Sequence, residues 1–475
     1  MKSERPNILL ICVDQWRGDC LGSAGHHTVQ TPYLDQMAVN GVRFASAFSE
    51  CPSCIAARAT MMTGLKPEHT GRIGYMGGVK WDYPTTIAGE FSRNGYHSQA
   101  IGKMHVYPER NKIGFDDVIL HDGYLHFARK NAGDLTEIDD YIPWLREQTG
   151  RVDADYFENG LNCNSYIARP WDKDEYLHPT NFVTARAVDY LYGRRDVEDP
   201  FFLFVSYHRP HPPYDPPVWA FEQYLRESME PPPVGDWSDF VTQWESGTPD
   251  AAAACVSPAV LQRARAGYYG HMTHIDHQLN RIFETLMECD KGNTYIMFVS
   301  DHGEMMGDHN LFRKCLPYQG SANIPFILKS PQRDEFRRGA RIDGGAVGLQ
   351  DVMPTLLDCA GLPIPDTVDG ESLRQTACSG KLSVREFIHG EHNFFEHSLH
   401  YMTDGREKYI WWSGDGREQL FDLESDPREL HDLAGKELVR LAIWRRRLVE
   451  QLKTRPEGYS DGESLISGRS VRLML

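Results

Sequence analysis

The chain predicts an α/β fold: a mostly parallel mixed sheet sandwiched by helices, with a smaller C-terminal α+β domain. Two observations carry that expectation. Nearly continuous apolar runs alternate with segments of helical period over roughly the first 370 residues. Beyond about residue 380 the pattern changes to partial apolar–polar alternation, as in antiparallel strands with one wet face. The expected division is residues 1–379 and 380–475.

The elements follow in order. Residues 7–13, 98–101, 201–206, 294–300 and 325–329 read as buried strands. Residues 31–40, 86–94, 181–192 and 266–288 read as helices between them. Residues 106–180 are rich in aromatics and acids and read as an insertion over the sheet edge. Residues 212–258 hold Pro231, Pro232 and Pro233 and many small residues, and read as loop-rich mobile surface structure. Residues 399–412 suit antiparallel strands, Gly414 to Gly416 a turn, and 436–453 a closing amphipathic helix.

Composition excludes several classes. The chain has 475 residues, enough for a large core, and a net charge of −17. That charge argues against a general nucleic-acid binder. Hydrophobic content of 41% is ordinary for a globular protein, and no run approaches the ~18 apolar residues of a membrane span. The first apolar run is short and leads directly into Asp14 with no small-residue cleavage site. It reads as a strand rather than a signal peptide, so the expected location is cytoplasmic. Ten scattered cysteines form no disulfide framework.

Chemistry-bearing residues sit at the strand ends. Asp14 follows the first predicted strand, and Asp301-His302-Gly303 follows the strand at 294–300. In such sheets, functional residues gather beyond the carboxyl ends of strands. Cys54-Ile-Ala-Ala-Arg58 followed by Thr63-Gly64 has a defined spacing, with Arg58 one helical turn past Cys54. This stretch resembles the signature of the Cys-type sulfatases of the alkaline phosphatase superfamily. Further resemblances follow in family order: residues 7–22, Gly95 to His105, Tyr207 to Pro212, and Ser300 to Gly303. Gly405 to Ile410, followed by Leu420 to Pro427, looks like the family's C-terminal signature. The likeness spans nearly the whole chain. It departs at Ala56, where the family usually has Pro, and at Gln15, where many members have Asp.

The resemblance implies a sulfate monoester hydrolase. Cys54 is then oxidised to formylglycine by a sulfatase-maturing enzyme. One hydroxyl of the hydrated aldehyde attacks sulfur, and the other later lets sulfate depart. The implied metal ligands are Asp14, Gln15, modified Cys54, Asp301 and His302. Hard oxygen donors point to Ca²⁺, with Mg²⁺ or Mn²⁺ as alternatives. The implied catalytic residues are Cys54, Arg58, Lys103, His105, His211 and Lys314. Arg58 would bind the hydrated aldehyde, Lys103 and Lys314 the sulfate, His105 the nucleophile or leaving group, and His211 would protonate the leaving oxygen. Arg313 is a substitute for Lys314, because a loop separates both from Asp301.

The substrate is a small-molecule or saccharide sulfate ester, and a homo-oligomer stays open. Tyr107, Arg110 and Asn111 are candidates to line the pocket. Two other readings remain. One is a phosphonate monoester or phosphodiester hydrolase of the same superfamily. The other is a silent metal-bound binding protein in which Cys54 stays a thiol. His271, His274 and His277 recur at helical spacing and read as a packed face rather than a zinc site, no further ligand being evident.

Overall fold

The computed structural model describes residues 5–123, 133–290, 292–331, 336–382 and 384–475. Fourteen strands run in chain order as β1 Asn7–Asp14, β2 Val42–Phe44, β3 Ala47–Phe48, β4 His97–Gly102, β5 Asp117–Leu120, β6 Phe201–Pro210, β7 Thr294–Ser300, β8 Phe326–Lys329, β9 Ala340–Ile342, β10 Val347–Gly348, β11 Ile388–Phe394, β12 His397–Thr403, β13 Glu407–Trp412 and β14 Glu418–Asp422.

Eight of them form one sheet in the order β5-β4-β6-β1-β7-β8-β2-β9. The pairs from β5 through β7 are parallel, whereas β8 runs antiparallel to both its neighbours. The central strands are buried on both faces, as their continuous apolar sequences require. Alternate residues feed two cores. Leu9, Ile11 and Val13 face one, with the helices Pro179–Gly193 and Pro258–Asp290. Ile8, Leu10 and Cys12 face the other, with the helices Cys54–Thr63 and Val352–Cys359. Strands β11 to β14 form a separate antiparallel sheet. The helix Leu438–Leu452 buries Leu441, Trp444 and Leu448 against that sheet's Tyr409 and Trp411.

The five expected strands and the long helices are present; most ends shift by a few residues, and the helix expected from 266 starts at Pro258. Two expectations need correcting. The 106–180 stretch is not only an overlay, because its Asp117–Leu120 joins the sheet as edge strand β5. The 212–258 stretch is not simply loop. It holds the helix Val218–Leu225, and its Val241 and Tyr224 are fully buried. Its Trp237 stacks on Tyr318 with ring centroids 4.5 Å apart, and Trp244 stacks on Trp412 at 5.4 Å. Aromatic burial of this kind outweighs the turn-rich local sequence.

Candidate active site

Four adjacent parallel strands, β4, β6, β1 and β7, end on the same side of the sheet. Their carboxyl ends deliver Lys103, His208 and His211, Asp14, and Asp301 with His302, respectively. Close strand approach needs Gly102: a Cβ there would sit 1.9 Å from the Ser206 carbonyl oxygen, and its φ is +101°.

Cys54 arrives from a different element. It is the first residue of the helix Cys54–Thr63, all of whose residues are buried. The helix N-terminus adds positive potential where an anion would bind. The helix ends at Gly64, with φ +70°.

The expected residues converge. Cys54 Sγ lies 3.3 Å from His302 Nε2, 3.3 Å from Lys314 Nζ and 3.5 Å from Asp14 Oδ1. Lys103 Nζ pairs with Asp14. Asp14, Cys54, Asp301 and His302 each offer a donor atom within 4.8 Å of the others. His302 Nδ1 faces the Gly303 carbonyl at 2.9 Å, which can only accept. Nδ1 therefore carries a hydrogen, and Nε2, 3.4 Å from Asp14, is the ring nitrogen turned to the cluster. Gln15 turns its Oε1 to Lys314 Nζ at 3.0 Å and its amide nitrogen to Glu304. Glu304 was not anticipated from sequence. Two buried carboxylates, an imidazole nitrogen and an amide oxygen suit a hard divalent cation.

Arg58 is completely buried. Its Nε donates to Asp301 Oδ2 at 2.9 Å, and its Nη1 to the Lys103 carbonyl and Ser206 Oγ at 2.8 and 2.9 Å. Among the described residues its buried Nη2 has no hydrogen-bond partner, so a charged donor is left unsatisfied beside the cluster.

Electrostatics agree with an anion site. Burial and Asp14 push the Cys54 thiol up, but Lys103, Lys314 and His302 outweigh them and leave it at about 6. Burial pushes His105 down to about 3, with Lys103 adding to the effect. Burial and Lys314 likewise hold His211 well below the usual histidine range. An anion bound beside His211 brings negative charge, which acts in the opposite direction.

The cluster opens into a cavity of about 600 Å³. Its lining includes Cys54, Lys103, His105, His211 and Lys314. Further out are Tyr75, Met76, Trp81, Tyr107 and Phe394 with Phe395. Phe394 ends β11 and Phe395 opens the turn to β12, a contribution that nothing in the sequence signalled. Tyr107 lines the cavity as expected. Arg110 does not: its guanidinium pairs with Asp140 at 2.8 Å. Asn111 is spent on the Trp81 carbonyl at 3.0 Å. Glu109 lines the wall instead. The histidine face on the helix Pro258–Asp290 is packed at His271 and His274, both fully buried, while His277 is exposed. Contrary to expectation, His271 does find further donor groups, with His178 and Asp215 within 4.8 Å. Arg209 already neutralises Asp215 there, at 2.9 Å.

The fold is one that known ester hydrolases share. The crystal structure of the phosphonate monoester hydrolase of Agrobacterium radiobacter matches with a TM-score of 0.77, covering 94% of this chain and 95% of that one at 24% identity. Within that class the chain belongs to the sulfatase family, whose model matches residues 6–362. A second model, for the C-terminal part of N-sulphoglucosamine sulphohydrolase, matches residues 307–456. The arylsulfatase of Clostridium perfringens is 46% identical over 98% of both chains. The multifunctional alkaline phosphatase superfamily protein PehA of Trinickia caryophylli is 28% identical over 91% of both. The chain is thus a sulfuric ester hydrolase acting on sulfate monoesters.

Proposed function

We propose that the enzyme is an aryl sulfate hydrolase that works with formylglycine made from Cys54 and one divalent cation. The observation that carries this reading is the meeting of Cys54 with His302, Lys314 and Asp14 at the floor of an aromatic-walled cavity. Asp14, Gln15, Asp301 and His302 would hold the cation, with the modified Cys54 beside it. The cation, when bound, supplies positive charge to the sulfate oxygens. Ca²⁺ and Mg²⁺ fit the oxygen donors, and Mn²⁺ tolerates the imidazole. The formylglycine hydrate supplies a hydroxyl to attack sulfur and a second one whose deprotonation releases sulfate.

The chain's own groups then divide the work. Lys103 and Lys314 neutralise the sulfate. Arg58 turns its unpartnered Nη2 to a hydroxyl on the carbon at position 54. His211 has its Nδ1 tied to the Pro212 carbonyl at 2.9 Å, so Nε2 is the nitrogen that exchanges a proton with the leaving oxygen. His105 borders the nucleophile from the cavity wall. Tyr75, Met76 and Phe395 are about half exposed at the mouth, and Trp244 stacks behind Phe395 with ring planes 4° from parallel. Such a rim suits a flat apolar leaving group better than a polyhydroxylated one. The 46% identical relative is named an arylsulfatase, which favours sulfate over phosphonate.

The test uses protein co-expressed with a sulfatase-maturing enzyme, with Cys54→Ala as control. Hydrolysis of 4-nitrophenyl sulfate should exceed that of a phenyl phosphonate monoester, vanish in the control, and fall on chelation and return with Ca²⁺. An unmodified Cys54 peptide by mass spectrometry in fully active protein would sink the nucleophile assignment.

A further inference from the structure

His208 stands beside His211, and the structure gives it a defined chemical state. Strands β1 and β6 run in register up to Val13 opposite Tyr207, and the next aligned pair is Asp14 with Pro210. His208 and Arg209 have no counterpart on β1, so a bulge carries them out of the ladder at the edge of the site.

Arg209 is clamped on its far side. Its Nε lies 3.0 Å from Asp215 Oδ1 and its Nη2 2.9 Å from the same carboxylate. Asn159 Nδ2 donates to Asp215 Oδ2 at 3.0 Å. The remaining nitrogen, Nη1, is 2.6 Å from His208 Nδ1. A guanidinium has donors only and does not lose its proton in a protein. His208 Nδ1 is therefore the acceptor, and the ring carries its hydrogen on Nε2. His211 has the opposite arrangement, since the Pro212 carbonyl takes its Nδ1 hydrogen. The two rings sit side by side with centroids 4.9 Å apart, in opposite tautomers. Among the described residues nothing bonds His208 Nε2, and the ring lines the cavity with Cys54, Lys103 and His211. Gly123 backs it: a Cβ there would meet His208 Cδ2 at 2.3 Å.

We propose that His208 is a further substrate-contacting residue, whose Nε2–H donates to the ester oxygen beside His211. Asp14, His208 and His211 each bring one donor or acceptor atom within 4.8 Å of the others. A single oxygen can lie about 2.8 Å from both rings in that span. His211 exchanges a proton with that oxygen. His208 holds a fixed N–H toward it and stabilises charge as the sulfur–oxygen bond breaks, with no proton transferred. Arg209 and Asp215 are positioning residues that hold the tautomer. This inference rests on the sulfatase reading of the same cavity.

The experiment measures kcat and KM for aryl sulfates of graded phenol acidity, using maturase-co-expressed full-length wild type, His208→Phe and His208→Gln. The glutamine amide can donate from nearly the same place, whereas phenylalanine cannot. His208→Phe should lower kcat/KM about 10- to 100-fold, with the largest loss on the poorest leaving groups. His208→Gln should recover most of that loss. Equal losses in both variants, a loss independent of the leaving group, or no loss would each overturn the proposal. Should the phenylalanine variant fail to fold, ¹⁵N NMR of histidine-labelled wild type, with His208→Gln for assignment, decides the tautomer. A hydrogen on Nδ1 of His208 would overturn it. Wild-type protein inert on every aryl sulfate would instead bring down the underlying substrate reading, and this inference with it.

Discussion

Arg58→Lys is the most discriminating single change at the site. Arginine here makes three hydrogen bonds from two nitrogens, to Asp301, the Lys103 carbonyl and Ser206, while the third nitrogen stays open. Lysine keeps the charge but offers one nitrogen on a flexible stem. It can serve Asp301 or the other two groups, not both. Losing one or two buried bonds from a charged donor, at ~1.5 kcal/mol each, removes about 1.5–3 kcal/mol of stability. Losing the open Nη2 removes a charged donor from the nucleophile's hydroxyl, which is worth about 10- to 100-fold in kcat/KM. The stability effect is read from the midpoint of urea unfolding at pH 7, and the kinetic effect from 4-nitrophenyl sulfate hydrolysis. A lysine variant within about twofold of wild-type kcat/KM, with an unmoved midpoint, would refute the account of Arg58 as both scaffold and donor.

Two further predictions lie away from the nucleophile. Burial pushes Glu50 up to about 7, against hydrogen bonds from the Leu349 and Gln350 amides at 3.0 Å. With its folded value above its unfolded one, the folded state holds the proton longer, so stability is lost as pH rises from roughly 4.5 to 7. Glu50→Gln mimics the protonated form and should flatten that part of the stability–pH curve, by about 3 kcal/mol across the window in denaturant titrations. An unchanged slope would contradict it. Arg455 bridges Glu391 at 2.8 Å through both terminal nitrogens and also pairs with Glu457, with all three side chains buried. Arg455→Met leaves two buried carboxylates without their cation and should cost about 3–5 kcal/mol, relieved in part on acidification. A thermal midpoint unaffected at neutral pH would count against that role.

Much of the molecule was legible in the sequence because its signals are local. Continuous apolar runs fixed the central strands, and a charged residue just past a run located Asp14, Lys103 and Asp301 at strand ends. The four-residue spacing from Cys54 to Arg58 needs only a helix to put both on one face. The order of the strands and the depth of the site were not local. Lys314 rather than Arg313 reaches Cys54 because of how the loop after β7 packs, with Arg313 directed to Asp250. Arg110 left the pocket for Asp140, an acid thirty residues on.

What the sequence by itself determined, then, is the list of elements and, through a family resemblance, a candidate set: Cys54, Arg58, Lys103, His211, Asp14, Asp301 and His302. Asp14, Lys103 and Asp301 stand at strand ends, so their place follows from periodicity, whereas the roles of the set follow from the resemblance. What only the tertiary structure decided is who stands opposite whom. The bulge that frees His208, the Glu304 that steadies Gln15, and the β11–β12 turn that carries Phe395 to the cavity mouth all arise from contacts between segments far apart in the chain. Such contacts are set by packing and by the pairing of buried polar groups, neither of which leaves a periodic trace in one stretch of sequence.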